Sequence, residues 1–117
     1  MNCSVAVVII NWNGEKLLKR FLPSVINFSK EATIYIIDNF STDNSIQFLN
    51  ENYPKIKIIN LNKNYGYAKG YNLGLKHVNE DIYILLNNDV EVKKNWMKPI
   101  VENFKNNNID IAQPLIL

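Results

Sequence analysis

This sequence has one cysteine and one histidine in 117 residues. With Cys3 alone, no internal disulfide can form and no zinc site can be built from thiolates. His77 falls late in a helical stretch, where a helix-end or surface role accounts for it. Glycine is scarce as well, at four residues, and no glycine-rich turn follows the first strand-like run. That argues against a dinucleotide oxidoreductase with a G-x-G-x-x-G fingerprint, and a Walker lysine loop is also absent. Net charge is only +2 and the lysines are scattered, so nothing points to nucleic acid or an acidic membrane surface. No apolar run approaches the ~20 residues that span a bilayer. The first run, Val5–Ile10, ends at Asn11 after six residues, too short for the apolar region of a secretory signal. The expectation is a cytosolic chain with one domain and one core.

What is abundant is asparagine, isoleucine and lysine, with 20, 16 and 12 copies. A bias of this kind is what an AT-rich genome imposes. About one position in six is therefore Asn by background, and a lone Asn is no evidence of a site.

Short runs rich in Ile, Val and Tyr at Val5–Ile10, Thr33–Asp38, Ile56–Leu61 and Ile82–Leu86 read as strands. Helical spacing lies between them. Leu17, Leu18, Phe21, Leu22, Val25 and Ile26 form the first stripe, with Pro23 expected to kink or end it. Ser41-Thr42-Asp43 reads as the N-cap of a second helix carrying Ile46, Phe48, Leu49 and Tyr53. A third helix is expected over Tyr67–Val78 and a fourth over Lys94–Lys105, interrupted by Pro99. Strict alternation of strand and helix predicts an α/β fold with right-handed crossovers and a mostly parallel sheet. The five apolar residues Ile82–Leu86 need burial on both faces, as in the middle of such a sheet.

Open α/β sheets bind ligands beyond the carboxyl ends of their strands, so the four loops there carry the candidates. Asn11-Trp12-Asn13-Gly14 offers an aromatic that either stacks on a nucleobase or is a core or rim residue. Asp38-Asn39 offers an acid where nucleotide-binding folds hold ribose or base; a cap or turn role is the alternative. Asn87-Asn88-Asp89 ends in a carboxylate that either holds a divalent cation against a phosphate or is part of a polar turn. One carboxylate with neutral oxygen neighbours suits Mg²⁺ or Mn²⁺ when substrate phosphates supply further oxygens. Gly66, Gly70 and Gly74 recur every fourth residue and lie down one helix face. Each helix-interior glycine costs about 1 kcal/mol relative to alanine. The offset is close approach either to the sheet or to a substrate's phosphate or sugar.

Together these motifs resemble the inverting family 2 glycosyltransferases with the GT-A fold, and most closely their rhamnosyltransferase-like branch. The resemblance runs through Val5–Gly14, Ile37–Asp43, the Asn64…Gly66…Gly70…Asn72…Gly74 stretch and Leu86–Val92, in order and over the whole chain. It implies a Rossmann-like nucleotide-sugar-binding half, a nucleotide-diphosphate sugar donor, and Mg²⁺ or Mn²⁺. It places Asn11, Trp12, Asn13, Asp38, Asn39, Gly66, Gly70, Asn72, Asn87 and Asn88 around the nucleotide. Asp89 is the implied metal ligand, at the place of the family's Asp-x-Asp signature. Asparagines stand where other members carry the earlier acid, and Asn still donates and accepts hydrogen bonds.

The implied reaction moves a hexosyl or deoxyhexosyl group to an acceptor hydroxyl on a glycan or lipid-linked sugar, with inversion, as in polysaccharide biosynthesis. Family members carry the acceptor site and the general base further along than Leu117. Residues 1–117 are therefore expected to be the N-terminal part of a longer domain, inactive alone and cytoplasmic, with peripheral membrane association in the full-length protein. Glu91, the one candidate base within the chain, reads rather as a surface residue. The ending Leu115-Ile116-Leu117 is apolar, where domains usually fray into polar termini, so self-association through it is expected. Two other classes compete with this reading. One is a sugar nucleotidyltransferase, which would need a basic glycine-rich loop where Asn11–Glu15 stands. The other is a non-catalytic nucleotide-binding module.

Overall fold

The computed structural model describes residues 3–107. The strand-like run Ile109–Leu117, with the apolar ending on which self-association was expected, lies outside them. Eight elements alternate: β1 (Val5–Asn11), α1 (Glu15–Phe28), β2 (Thr33–Asp38), α2 (Ser45–Asn52), β3 (Lys57–Asn60), α3 (Tyr67–Leu75), β4 (Ile82–Leu86) and α4 (Met97–Asn107). The sheet order is β3-β2-β1-β4, and every pairing is parallel. Parallel strands need crossovers, and right-handed crossovers fix which face each helix covers. Moving from β1 to β2 to β3 puts α1 and α2 on one face. Returning across β1 to β4 puts α3 on the other.

The side chains follow that geometry. Val5, Val7 and Ile9 point to the α1/α2 face and pack with Leu18, Leu22, Val25, Leu49 and Met97 of α1, α2 and α4. Ala6, Val8 and Ile10 point the other way and meet Tyr71 of α3, together with Tyr35 and Ile37 of β2. All seven residues of β1 are buried, because it has a strand on each side, as β2 does, and helices on both faces. The register is pinned at the sheet's lower edge, where Asp81 accepts from the Ser4 amide at 2.9 Å and donates its own amide to the Ser4 carbonyl.

Helix boundaries depart from the sequence pattern in four places. Pro23 does not end α1, which continues to Phe28. An interior proline costs about 3 kcal/mol. Burying Leu22 and Val25 offsets it, since such side chains stabilise by roughly 1.5–3 kcal/mol each. Pro99 does not interrupt α4: the helix starts at Met97, so Pro99 sits in the first turn, where no intrahelical N–H bond is due. The third helix stops at Leu75 rather than Val78 and unwinds through i→i+3 turns closed by His77 and Val78. The second starts at Ser45, with Asn44 rather than Ser41-Thr42-Asp43 at its cap.

Asp43 instead serves two helix ends. Its Oδ1 accepts from the Ser45 amide at 2.9 Å, and its Oδ2 accepts from the Glu15 amide at 3.1 Å, at the first residue of α1. Glu15 returns the contact, its Oε1 accepting from the Asn44 amide at 3.3 Å. Gly14, which precedes α1, has no side chain to cap with, so the cap comes from the neighbouring helix. Burial pushes the Asp43 carboxyl up, but the hydrogen bonds from Ser45, the Glu15 amide and its own backbone outweigh it and hold the pKa below the ordinary 3.8. A depressed carboxyl pKa stabilises the fold fully above the unfolded value and loses that contribution as pH falls through the folded value. Asp43→Ala should therefore cost about 1–2 kcal/mol near neutrality. Urea melts of wild type and Asp43→Asn, taken from about pH 6 down to about pH 2, should converge below the ordinary carboxyl range. A constant gap across that range would show that Asp43 acts through its shape and not its charge.

Candidate functional site

At the carboxyl edge of the sheet the chain goes to β2 on one side of β1 and returns to β4 on the other. The strand order reverses there, and a crevice opens at such a point in open α/β sheets. Here it is an open cleft of ≈ 340 Å³. Trp12 after β1, Leu17 of α1, Asn64, Gly66 and Tyr67 at the start of α3, and Asn88 after β4 surround it. Asn39 and Ile10 form its floor. Trp12 is 53% exposed and Tyr67 54%, so two aromatic rings stand largely free at the rim.

The polar residues beneath are tied to one another. Asn11 and Asp38 are register partners at the ends of β1 and β2. Asn11 Nδ2 donates to Asp38 Oδ1 at 3.1 Å and also to Ser41 Oγ at 3.3 Å, while Asn11 Oδ1 accepts from Asn88 Nδ2 at 3.1 Å. Asp38 is 3% exposed, and both its oxygens accept internal bonds: Oδ1 from Ser41 Oγ at 2.7 Å, Oδ2 from the Ser41 amide at 2.8 Å. Asn13 turns its side chain to the same loop, its Oδ1 accepting from the amides of Thr42 at 2.6 Å and Asp43 at 3.2 Å. Asn39 donates to the Gly66 carbonyl and accepts from the Tyr65 amide, both at 2.9 Å, and so holds the turn before α3.

Of the residues picked from sequence, the crevice collects Trp12, Asn39, Gly66 and Asn88 on its lining. Asn11, Asn13 and Asp38 lie behind it as the framework just described. Asn72 is exposed on α3 and is not on the lining. Asn87 accepts a hydrogen bond from the Tyr67 hydroxyl. Asp89 is exposed beyond the end of β4, and its carboxylate bonds to nothing among the described residues. Glu91, two residues on, is exposed as well.

The three glycines of the third helix divide between two causes. A Cβ on Gly74 would stand 2.4 Å from Ile37 Cδ1, and one on Gly70 would stand 2.6 Å from Ile10 Cδ1. Both therefore serve close packing of α3 on the sheet. Gly66 is different: nothing lies within 4 Å of its Cβ position, but its φ of +80° and ψ of −178° are accessible to glycine alone. Gly14 has a third cause, since its Cβ would stand 2.3 Å from Asn11 Oδ1 and 2.4 Å from Asn88 Nδ2, inside that amide bridge.

Sequence reading missed Tyr67 and Leu17 as rim residues, and Phe40. Leu17 counted toward the core stripe, yet adjacent Leu17 and Leu18 cannot both face the sheet, and Leu17 is the one 40% exposed. Phe40 is 54% exposed with φ +65°, a left-handed conformation rare for an aromatic residue, just after β2. No sequence signal marks it. His77 is exposed after α3, and Cys3 is half-buried against the core.

No group of three or more His, Cys, Asp or Glu side chains that could hold a metal is present among the described residues. A cation caged by protein alone does not fit. A cation held by the free Asp89 and completed by ligand oxygens does fit the donor set. Another depression of ≈ 370 Å³ lies between α1 and α2. Its charged and amide groups pair internally, Lys19 with Glu15 at 2.8 Å and Gln47 with Glu51 at 3.1 Å, which leaves little to grip a ligand.

With this geometry, comparison with known proteins is informative. A family model described as glycosyl transferase family 2 matches residues 6–117. A low-salt glycan biosynthesis hexosyltransferase of Haloferax volcanii, Agl10, is 25% identical over 117 residues, covering 97% of this chain and 36% of that protein. A probable human polypeptide N-acetylgalactosaminyltransferase is 26% identical over 124 residues, covering 96% of this chain and 19% of that protein. The chain thus spans between 19% and 36% of the length of these relatives. Among solved structures, S. aureus TarS in complex with UDP-GlcNAc superposes with a TM-score of 0.76 at 22% identity, over 90% of this chain and 32% of that one. A mannosyltransferase of Pyrobaculum calidifontis in complex with GDP-Man and Mn²⁺ gives 0.74 at 17% identity, over 89% and 33%. These likenesses establish the GT-A fold expected from the motifs.

The glycine assignments can be checked directly. Gly74→Ala should destabilise by about 1–3 kcal/mol through overpacking against Ile37. Ile37→Val on the same background should recover part of that loss, because the two sites share one gap. Denaturant melts of the two single variants and the double decide. Additive losses would mean that α3 lies further from β2 than these distances say.

Proposed function

The chain belongs to glycosyl transferase family 2, and we propose that it forms the nucleotide-sugar-binding part of an inverting, metal-assisted glycosyltransferase. The observation that carries this reading is the crevice at the strand-order reversal, with a free aromatic, Trp12, at its rim and a free carboxylate, Asp89, beyond the neighbouring strand. Support comes from the relatives: TarS and the P. calidifontis mannosyltransferase have been solved with UDP-GlcNAc and with GDP-Man and Mn²⁺.

In this reading the base of a nucleoside diphosphate lies against Trp12, where stacking is worth about 1 kcal/mol. Asn39 and Gly66 form the floor and edge on which base and ribose rest. Asp38 and Asn11 hold those groups in place from behind. Asp89 presents its carboxylate toward the diphosphate. A divalent cation, Mg²⁺ or Mn²⁺, bound there would neutralise the diphosphate and stabilise the charge that develops as it leaves. The acceptor hydroxyl attacks the anomeric carbon with inversion, and its proton passes to a carboxylate that we place outside these 117 residues.

The donor sugar in this proposal is a hexose or deoxyhexose, following the motif resemblance to the rhamnosyltransferase-like branch. The acceptor is a glycan or a lipid-linked sugar of polysaccharide biosynthesis. A cytoplasmic site, peripheral to a membrane for a lipid-linked acceptor, accords with it; no helix among the described residues is long and apolar enough to cross a membrane. Residues 1–117 alone are expected to bind donor without transferring it. The nucleotidyltransferase alternative is disfavoured by the first loop, which is not basic and whose only glycine is boxed in by two amides.

Calorimetric titration of UDP and GDP, with and without Mn²⁺, tests the proposal. Trp12→Ala should weaken binding about fivefold, corresponding to about 1 kcal/mol of lost stacking. Asp89→Ala should strengthen metal-free binding, because it removes a like charge beside the diphosphate, and abolish the gain that Mn²⁺ brings. Undiminished affinity in Trp12→Ala together with an undiminished Mn²⁺ effect in Asp89→Ala would remove the site. Donor binding without transfer by the full-length protein would favour a non-catalytic nucleotide-binding module.

A further inference from the structure

Two tyrosines of α3, one helical turn apart, reach the carboxyl end of β4. Tyr71 is 5% exposed, and its hydroxyl donates to the carbonyl of Leu86, the last residue of that strand, at 3.1 Å. Tyr67, the first residue of α3, donates its hydroxyl to the side-chain oxygen of Asn87, the next residue along. The two rings meet edge to face, with centroids 5.0 Å apart and planes at 81°. Asn88 in turn donates to Asn11. Each of the three residues before Asp89 is thus held by a side chain from another element, whereas Asp89 itself is free.

Tyr67 holds two positions at once. Its ring lines the crevice, and its hydroxyl holds the loop that carries Asp89. The side-chain oxygen of Asn87 accepts from that hydroxyl, which ties the loop to α3, while its amide nitrogen keeps its donors. We propose that Tyr67 is a positioning residue that couples the nucleotide crevice to the metal loop: its hydroxyl, through Asn87, sets where Asp89 stands relative to a bound diphosphate. This inference rests on the donor-site reading above and adds a residue that acts through another.

The coupling separates Tyr67 from a residue that only fills space. Tyr67→Phe keeps the ring, its packing on Tyr71 and the crevice wall, and removes only the hydroxyl. Its affinity for UDP or GDP should fall more with Mn²⁺ than without, and its melting temperature should stay near wild type. The gain in affinity that Mn²⁺ brings should fall about fivefold, the loss of one hydrogen bond's worth of positioning. Asn87→Ala should show the same selective loss. The double variant should lose no more than either single one, because both remove one interaction. Tyr67→Ala should weaken metal-free binding in addition, since the wall itself goes. Electron paramagnetic resonance of bound Mn²⁺ with UDP or GDP gives a second readout independent of turnover.

A full Mn²⁺ gain in Tyr67→Phe, with wild type also showing it, would overturn the coupling and leave the donor site standing. An equal loss of affinity with and without metal would assign Tyr67 to the wall alone and overturn the coupling too. No Mn²⁺ gain in wild type would overturn the metal-assisted donor site and this inference with it.

Discussion

The amide of Asn11 holds together the edge on which everything else is arranged. It is 1% exposed at the end of the central strand, between the ends of β2 and β4. Its nitrogen donates toward Asp38 and Ser41 on one side, and its oxygen accepts from Asn88 on the other. Only a group with a donor at one end and an acceptor at the other can satisfy both neighbours. Aspartate there would face the Asp38 carboxylate with no proton to offer. Leucine would leave the half-buried Asn88 amide without its acceptor and Asp38 held by Ser41 alone, at a cost of about 1–3 kcal/mol. Every buried side-chain polar atom among the described residues has a partner, and at this edge Asn11 shares that task with Ser41, which also bonds Asp38. Gly14 follows from it, since no larger residue clears the Asn11–Asn88 bridge.

The fold was legible because it rests on burial. Val5–Ile10 and Thr33–Asp38 are too apolar and too short for anything but inner strands, and the strand-helix alternation leaves one handedness of crossover. Ile82–Leu86 was expected in the middle of the sheet as well, but it pairs with β1 alone at the edge of the described sheet, and Tyr83 and Leu85 on one face are only half-buried. What escaped was decided at longer range. Ser41-Thr42-Asp43 carries the chemistry of an N-cap. Asp43 keeps the Ser45 amide at the start of α2 and also caps α1, across nearly thirty residues of sequence, because Gly14 cannot cap it. Pro23 reads as a breaker until the burial of Leu22 and Val25 is known.

The candidate site was less legible, for a reason that Asn background makes plain. With 20 asparagines in the chain, residue type does not separate one that faces a ligand from one that faces its own backbone. The structure separates them by what their atoms already do. Asn13 is spent on Thr42 and Asp43, Asn39 on Tyr65 and Gly66, and Asn87 on Tyr67. The four-residue glycine spacing was ambiguous for a similar reason. Gly70 and Gly74 answer to Ile10 and Ile37, and only Gly66 answers to backbone conformation. Tyr67 escaped because an aromatic opening a helix looks like core, and its exposure depends on where the sheet ends.

Charge gives the donor-site reading its last constraint. The residues lining the crevice include no lysine, arginine, aspartate or glutamate. A nucleoside diphosphate entering it would meet no cationic side chain there, and the nearest free charge after β4 is negative, at Asp89. An anionic donor beside an anionic carboxylate is therefore self-defeating unless a cation lies between them. The lone carboxylate then becomes a gain, because it lets the crevice distinguish a metal-loaded diphosphate from a bare one. In this reading selectivity comes from one carboxylate beyond a neutral cleft, free among the described residues, and holding it in position matters more than adding other charges.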